Sequence, residues 1–153
     1  MHALHPVLLW LHLLGVILWI GGMLFAHLCL RPAALELAPP VRLPLWCGVL
    51  GRFFRWVWLA LALVLASGGG LMAVHGAGGM PWYWHAMATG GLVMAGVYLS
   101  IQRGPWPALQ KAVAAQDWPA GGAAMNQIRQ RVGFNLLLGL LVVSLASLGP
   151  LLG

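Results

Sequence analysis

Between Pro6 and Leu30 the chain has no Asp, Glu, Lys or Arg, and no other feature constrains its fold as strongly. At ~1.5 Å per residue a run of that length exceeds the ~30 Å of a hydrocarbon core, so it reads as a transmembrane helix. The whole chain agrees: 61% of its 153 residues are apolar and 7% are charged, with a mean hydropathy of +0.89. A water-soluble domain is excluded. His12 lies about two turns inside this run. At roughly 100° per residue, His5, His12, Trp19, Met23 and Ala26 share one stripe, with Gly15 and Gly22 beside it, and that stripe faces other helices. An imidazole at that depth needs a partner, a ligand or a water-filled cavity.

Three further apolar runs follow. The fold class this implies is all-α: an integral membrane four-helix bundle, one domain over residues 1–153, with helices at about 6–30, 53–75, 82–102 and 132–152. Arg31 to Pro44, with four prolines, reads as a turn-rich connection. The second run carries Gly68, Gly69 and Gly70, where a neighbouring backbone can approach closely. Gly76 to Trp84, GAGGMPWYW, reads as an uncharged turn whose Trp82, Tyr83 and Trp84 belong at headgroup level. In the long polar segment Arg103 to Arg131, Pro105 and Pro107 end the third helix and Ala108 to Trp118 suits a short interfacial helix. Gly121 and Gly122 there read as a second break, before NQIRQRVGFN leads helically into the fourth span.

The net charge of +6 is explained by topology, not by nucleic acid. Arg31, Arg42, Arg52 and Arg55 flank the first connection, and Arg103, Lys111, Arg129 and Arg131 the third; the other side has no Lys or Arg. The positive-inside rule then predicts both termini outside, N-out/C-out. The N-terminal run is too long, and too poor in Lys and Arg, for a cleaved secretory signal. Cys29 and Cys47 form no CxxC motif and imply no disulfide framework.

That topology gathers histidines the sequence keeps apart. His2, His5, His12, His75 and His85 fall toward the outer leaflet, with His2 and His5 expected to be solvated. Because imidazole is a common ligand, His12, His85 and His75 on three helices favour a metal or haem site anchored by His12. Met72, one turn before His75, and Met80 in the connection are candidate soft-metal ligands. Met87, roughly 160° from His85, reads as lipid-facing or as filler. His27 is ~22 Å of helix from His12 and belongs to the inner side with Cys29 and Cys47. Asn126, Arg129, Arg131 and Asn135 read mainly as topology and headgroup contact.

The first helix, LHLLGVILWIGGMLFAHL, resembles the opening helix of the copper-resistance protein D (CopD) family of bacterial inner-membrane proteins, with weaker support from IRQRVGFNLLLG. The wider group is similar to HemJ, the four-helix membrane protein associated with protoporphyrinogen oxidation and haem b. HemJ-like proteins carry a lysine beside the helix-3 histidine, whereas here His85 is followed by Ala86 and Met87. The resemblance implies a multi-pass protein of the bacterial inner membrane, with copper or haem b as cofactor and a site centred on His12. In the copper form, metal enters on the periplasmic side and passes across or into the membrane; in the haem form, bis-histidine ligation serves electron transfer or quinol oxidation. A structural or assembly subunit is a third form. The implied partners are the lipid bilayer and a periplasmic copper donor or quinol, with a homo-oligomer left open and nucleic acid excluded.

Overall fold

A computed structural model of the chain describes residues 4–76 and 79–151. His2, part of the 76–84 connection and the expected helix end at 152 lie outside those residues. The helices are α1 (Leu4–Leu35), α2 (Pro39–His75), α3 (Trp82–Arg103), α4 (Pro105–Ala114) and α5 (Trp118–Leu148). Among the described residues there is no strand. Four segments are long and apolar enough to cross a membrane: α1, α2, α3 with its continuation α4, and α5 with its terminal turn. Side chains such as Ile17 and Leu137, each 65% exposed, point outward as lipid-facing residues do. The all-α four-helix membrane bundle expected from the sequence is the fold observed.

Helix boundaries depart from the apolar runs. Within 31–44 only Glu36 to Ala38 is non-helical, α2 already begins at Pro39, and α5 begins at Trp118. Hydropathy marks the length buried in lipid, whereas the hydrogen-bonded helix continues where its segments pack on one another. Pro32 does not end α1, because it follows a π-helical turn at Ala26–Leu30 in which the usual ladder is already interrupted. Pro39 and Pro40 open α2, where a missing N–H costs little. Gly121 and Gly122 are helical, not a break. A Cβ on Gly121 would come within 3.0 Å of Leu43 Cδ1, so this glycine serves close packing instead of a turn. The turn before α5 lies at Gln116, with φ 56°, and Asp117 caps the helix by accepting from Ala120 N–H at 3.0 Å.

α1 packs on α2, while α3 and α4 pack on α5. Contact between α1 and α2 is close because Gly15 has no side chain: a Cβ there would stand 2.9 Å from the Ala60 carbonyl oxygen and 2.7 Å from Val64 Cγ2. The expected α1 stripe is realised, with Trp19 and Met23 buried and His5, His12 and Ala26 half-buried. Tyr98 ties the centre together, donating to the Phe54 carbonyl at 3.0 Å and accepting from Gln102 Nε2 at 2.9 Å. Asn135 is buried there too, and its Oδ1 has no hydrogen-bond partner among the described residues.

Connectivity puts the starts of α1 and α3 and the ends of α2 and α5 at one end of the bundle, the histidine end. All eight cations belong to the other. A topology reporter fused after Gly153 is therefore expected to behave as periplasmic; cytoplasmic behaviour would invert the orientation assigned to both ends.

Candidate functional site

At the histidine end α1, α2, α3 and α5 surround a cavity of about 540 Å³. α1 brings His12, and α2 brings the side chain that holds it. His12 Nδ1 lies 3.1 Å from Ser67 Oγ, and the Ser67 hydroxyl donates to the Leu63 carbonyl. A serine hydroxyl has one proton, and a carbonyl oxygen can only accept. With that proton directed at Leu63, Ser67 Oγ is left to accept, so Nδ1–H of His12 is the donor. The neutral ring then carries no proton on Nε2, whose lone pair is available to a ligand in the cavity that His12 lines. Gly68 makes room for the ring: a Cβ there would sit 3.2 Å from His12 Cε1.

The depths match for a simple reason. The His5 ring lies against the His75 ring, and from that pair His12 is seven residues inward along α1 (12 − 5 = 7) and Ser67 eight along α2 (75 − 67 = 8). In two antiparallel helices meeting at one end, the two side chains come level. Ser67 was not singled out from the sequence, yet a lone hydroxyl at the depth of a lone histidine was the signal available.

Around this pair the other candidates are sorted. His5 lines the cavity and lies against exposed His75, with 5.3 Å between ring centroids; the His75 ring also stands edge-on to Trp84 at 4.6 Å. His75 Nδ1–H donates to the Leu71 carbonyl at 3.1 Å. Met72 lines the cavity, whereas Met80 is half-buried outside it. His85 is exposed and is not part of the lining. The α3 wall is built on Trp84, Met87, Ala88 and Gly91, spaced as one helical face, and His85 stands at its edge. Met87, expected to face lipid or to serve as filler, lines the cavity, as does buried Met94. Tyr83 and Trp84 of the expected aromatic belt also turn inward, while Trp82 stays exposed.

Among the described residues no three His, Cys, Asp or Glu side chains converge as a metal cluster. The soft-metal donor atoms that the lining does offer are imidazole nitrogens, from His5 and His12, and thioethers, from Met72, Met87 and Met94. His27 lies apart from this cavity, lining a second one at the cationic end. Neither Cys29, which is exposed, nor half-buried Cys47 lines that second cavity, and both are free thiols.

The family model for copper resistance protein D matches residues 47–148. The chain belongs to this family. Comparison with curated proteins and with solved structures gives no significant match. The matched stretch takes in most of α2 and all of α3 and α4, and it runs to the end of α5, so Ser67, Gly68, Met72, His75 and His85 lie within it. His5 and His12 precede it, and their inclusion in the site rests on the geometry around Ser67. The copper resistance protein D assignment makes the chain a multi-pass membrane protein of a copper-resistance family.

Proposed function

We propose that this copper resistance protein D family member receives Cu(I) at the histidine end of its bundle, on the periplasmic side of a bacterial inner membrane, and passes it into or across the membrane. The observation that carries the proposal is the Ser67–His12 hydrogen bond, which presents an unprotonated Nε2 in a cavity also lined by thioethers. His12 is the first ligand. Met72 and Met87, from α2 and α3, are thioethers that line the same space, and His5 with His75 offers an entry point at the rim. Buried Met94 and Met23 lie deeper and are the soft side chains a descending ion would meet. His27, Cys29 and Cys47 are the acceptors proposed nearer the cationic end.

A second reading is favoured by one observation, the size of the cavity. About 540 Å³ falls in the range of small-molecule cofactor sites and exceeds what one ion needs. Haem b held by His12, with a thioether in place of the exposed His85, would use that space. Colour decides between the two. Protein purified in mild detergent and loaded with Cu(I) is expected to be colourless and to keep stoichiometric copper against a competing chelator. A Soret band in the purified protein would move haem to the front, and absence of both metal and haem would sink the reading.

A further inference from the structure

The second cavity, about 220 Å³ at the cationic end, is lined by Arg31, Arg42 and Arg129 from three helices, together with His27 and Asn126. Its floor is apolar: Trp46, Leu50 and Phe53. Topology asks only that cations stay on one side of the membrane, and exposed Arg52, Arg55, Arg103 and Lys111 satisfy it from the surface. The three cavity arginines are instead half-buried and line one cavity.

Register places them at one level. A Cβ on Gly133 would lie 3.4 Å from His27 Cε1, so α1 and α5 are aligned there. One turn farther toward the cationic end stand Arg31 on α1 (27 + 4) and Arg129 on α5 (133 − 4). Gly22 abuts the Phe53 ring, and counting outward from that pair brings Arg42 of α2 within a turn of the same level. Arg129 is oriented by a hydrogen bond to Asn126 Oδ1. The chain has only two acidic residues to offset these charges. Asp117 caps α5, Glu36 is exposed, and neither lines the cavity. Three like charges gathered over an apolar floor are compensated by an anion, and guanidinium forks match phosphate oxygens in geometry.

We propose that this cavity binds a phosphate-bearing anion, its charged group held by Arg31, Arg42 and Arg129 and its apolar part resting on Trp46, Leu50 and Phe53. The chemistry has two sources, an anionic phospholipid headgroup or a soluble phosphate compound. Its place at the cationic end of a membrane bundle suits the first, and the assay separates them.

Delipidated protein in detergent, free of copper, is mixed with phosphatidylglycerol or with inorganic phosphate, and binding is read by native mass spectrometry and by the thermal midpoint. Wild type is expected to bind at least one probe about ten-fold more tightly than Arg31→Gln/Arg129→Gln. Arg55→Gln/Arg103→Gln, with equal loss of charge, is expected to match wild type. Retained phosphatidylglycerol that excess inorganic phosphate does not displace identifies a lipid headgroup. Stabilisation by inorganic phosphate without retained lipid identifies a soluble compound. Should the cavity double variant fail to fold, Arg42→Gln, near the start of α2, is expected to weaken binding several-fold. Equal loss in both double variants, no binding of either probe, or an unchanged Arg42→Gln would overturn the proposal. Because no copper is present, the copper reading stands or falls separately.

Discussion

His12→Ala is expected to abolish stoichiometric copper binding while the bundle still forms. The ring supplies the unprotonated Nε2 on which the proposed site depends, and no other histidine among the described residues lines the cavity at that depth. The fold should survive because removing the imidazole leaves no orphan donor: Ser67 keeps its own proton on the Leu63 carbonyl. One buried hydrogen bond is lost, at a cost of about 1 kcal/mol, together with the packing of a half-buried ring. His85→Ala, altering an exposed side chain outside the lining, is expected to keep full binding. Copper stoichiometry after chelator challenge, measured on monodisperse protein, checks both. Full retention by His12→Ala would remove the anchor and favour a structural or assembly role. Equal loss in His85→Ala would require the two imidazoles to meet in a state other than the one described.

Ser67→Ala is expected to weaken copper binding by about 10–100-fold without abolishing it, the usual effect of deleting a hydrogen-bond partner of a ligating histidine. Without the serine oxygen nothing ties the proton to Nδ1 through this contact, and the ring can take the other tautomer or rotate. Either change costs affinity because the lone pair must be restored and aimed before the metal binds. Replacing Ser67 by Ala removes a single oxygen atom and leaves only a small void, so the variant should fold like wild type. Chelator titration of the two proteins side by side gives the ratio. An unchanged affinity would mean that Ser67 merely back-bonds its own helix and that His12 is oriented by other contacts.

Much of this molecule was legible in its residues. The four apolar runs determined an all-α membrane bundle, because backbone groups in hydrocarbon must be satisfied within the segment. The one-sided cations determined which helix ends lie together, and hence that His12 and His75 belong to the same end. The α1 stripe was readable from a ~3.6-residue period, and Trp19 and Met23 are buried as it required. A resemblance first seen in α1 concerned a helix that precedes the family match at 47–148.

Tertiary structure decided the rest, and the reason is rotation about each helix axis. Depth follows from counting residues, but whether His85 or Met87 faces the cavity depends on how α3 is turned against α2 and α5, which no periodicity in a uniformly apolar helix records. The same holds for Ser67, level with His12 by count yet a partner only because Gly15 lets α1 approach α2 closely and Gly68 leaves space for the ring. At the other end, charge alone determined that Arg31, Arg42 and Arg129 share a side of the membrane. Only packing of α1, α2 and α5 turned those three inward around one cavity and left the remaining exposed cations to the surface.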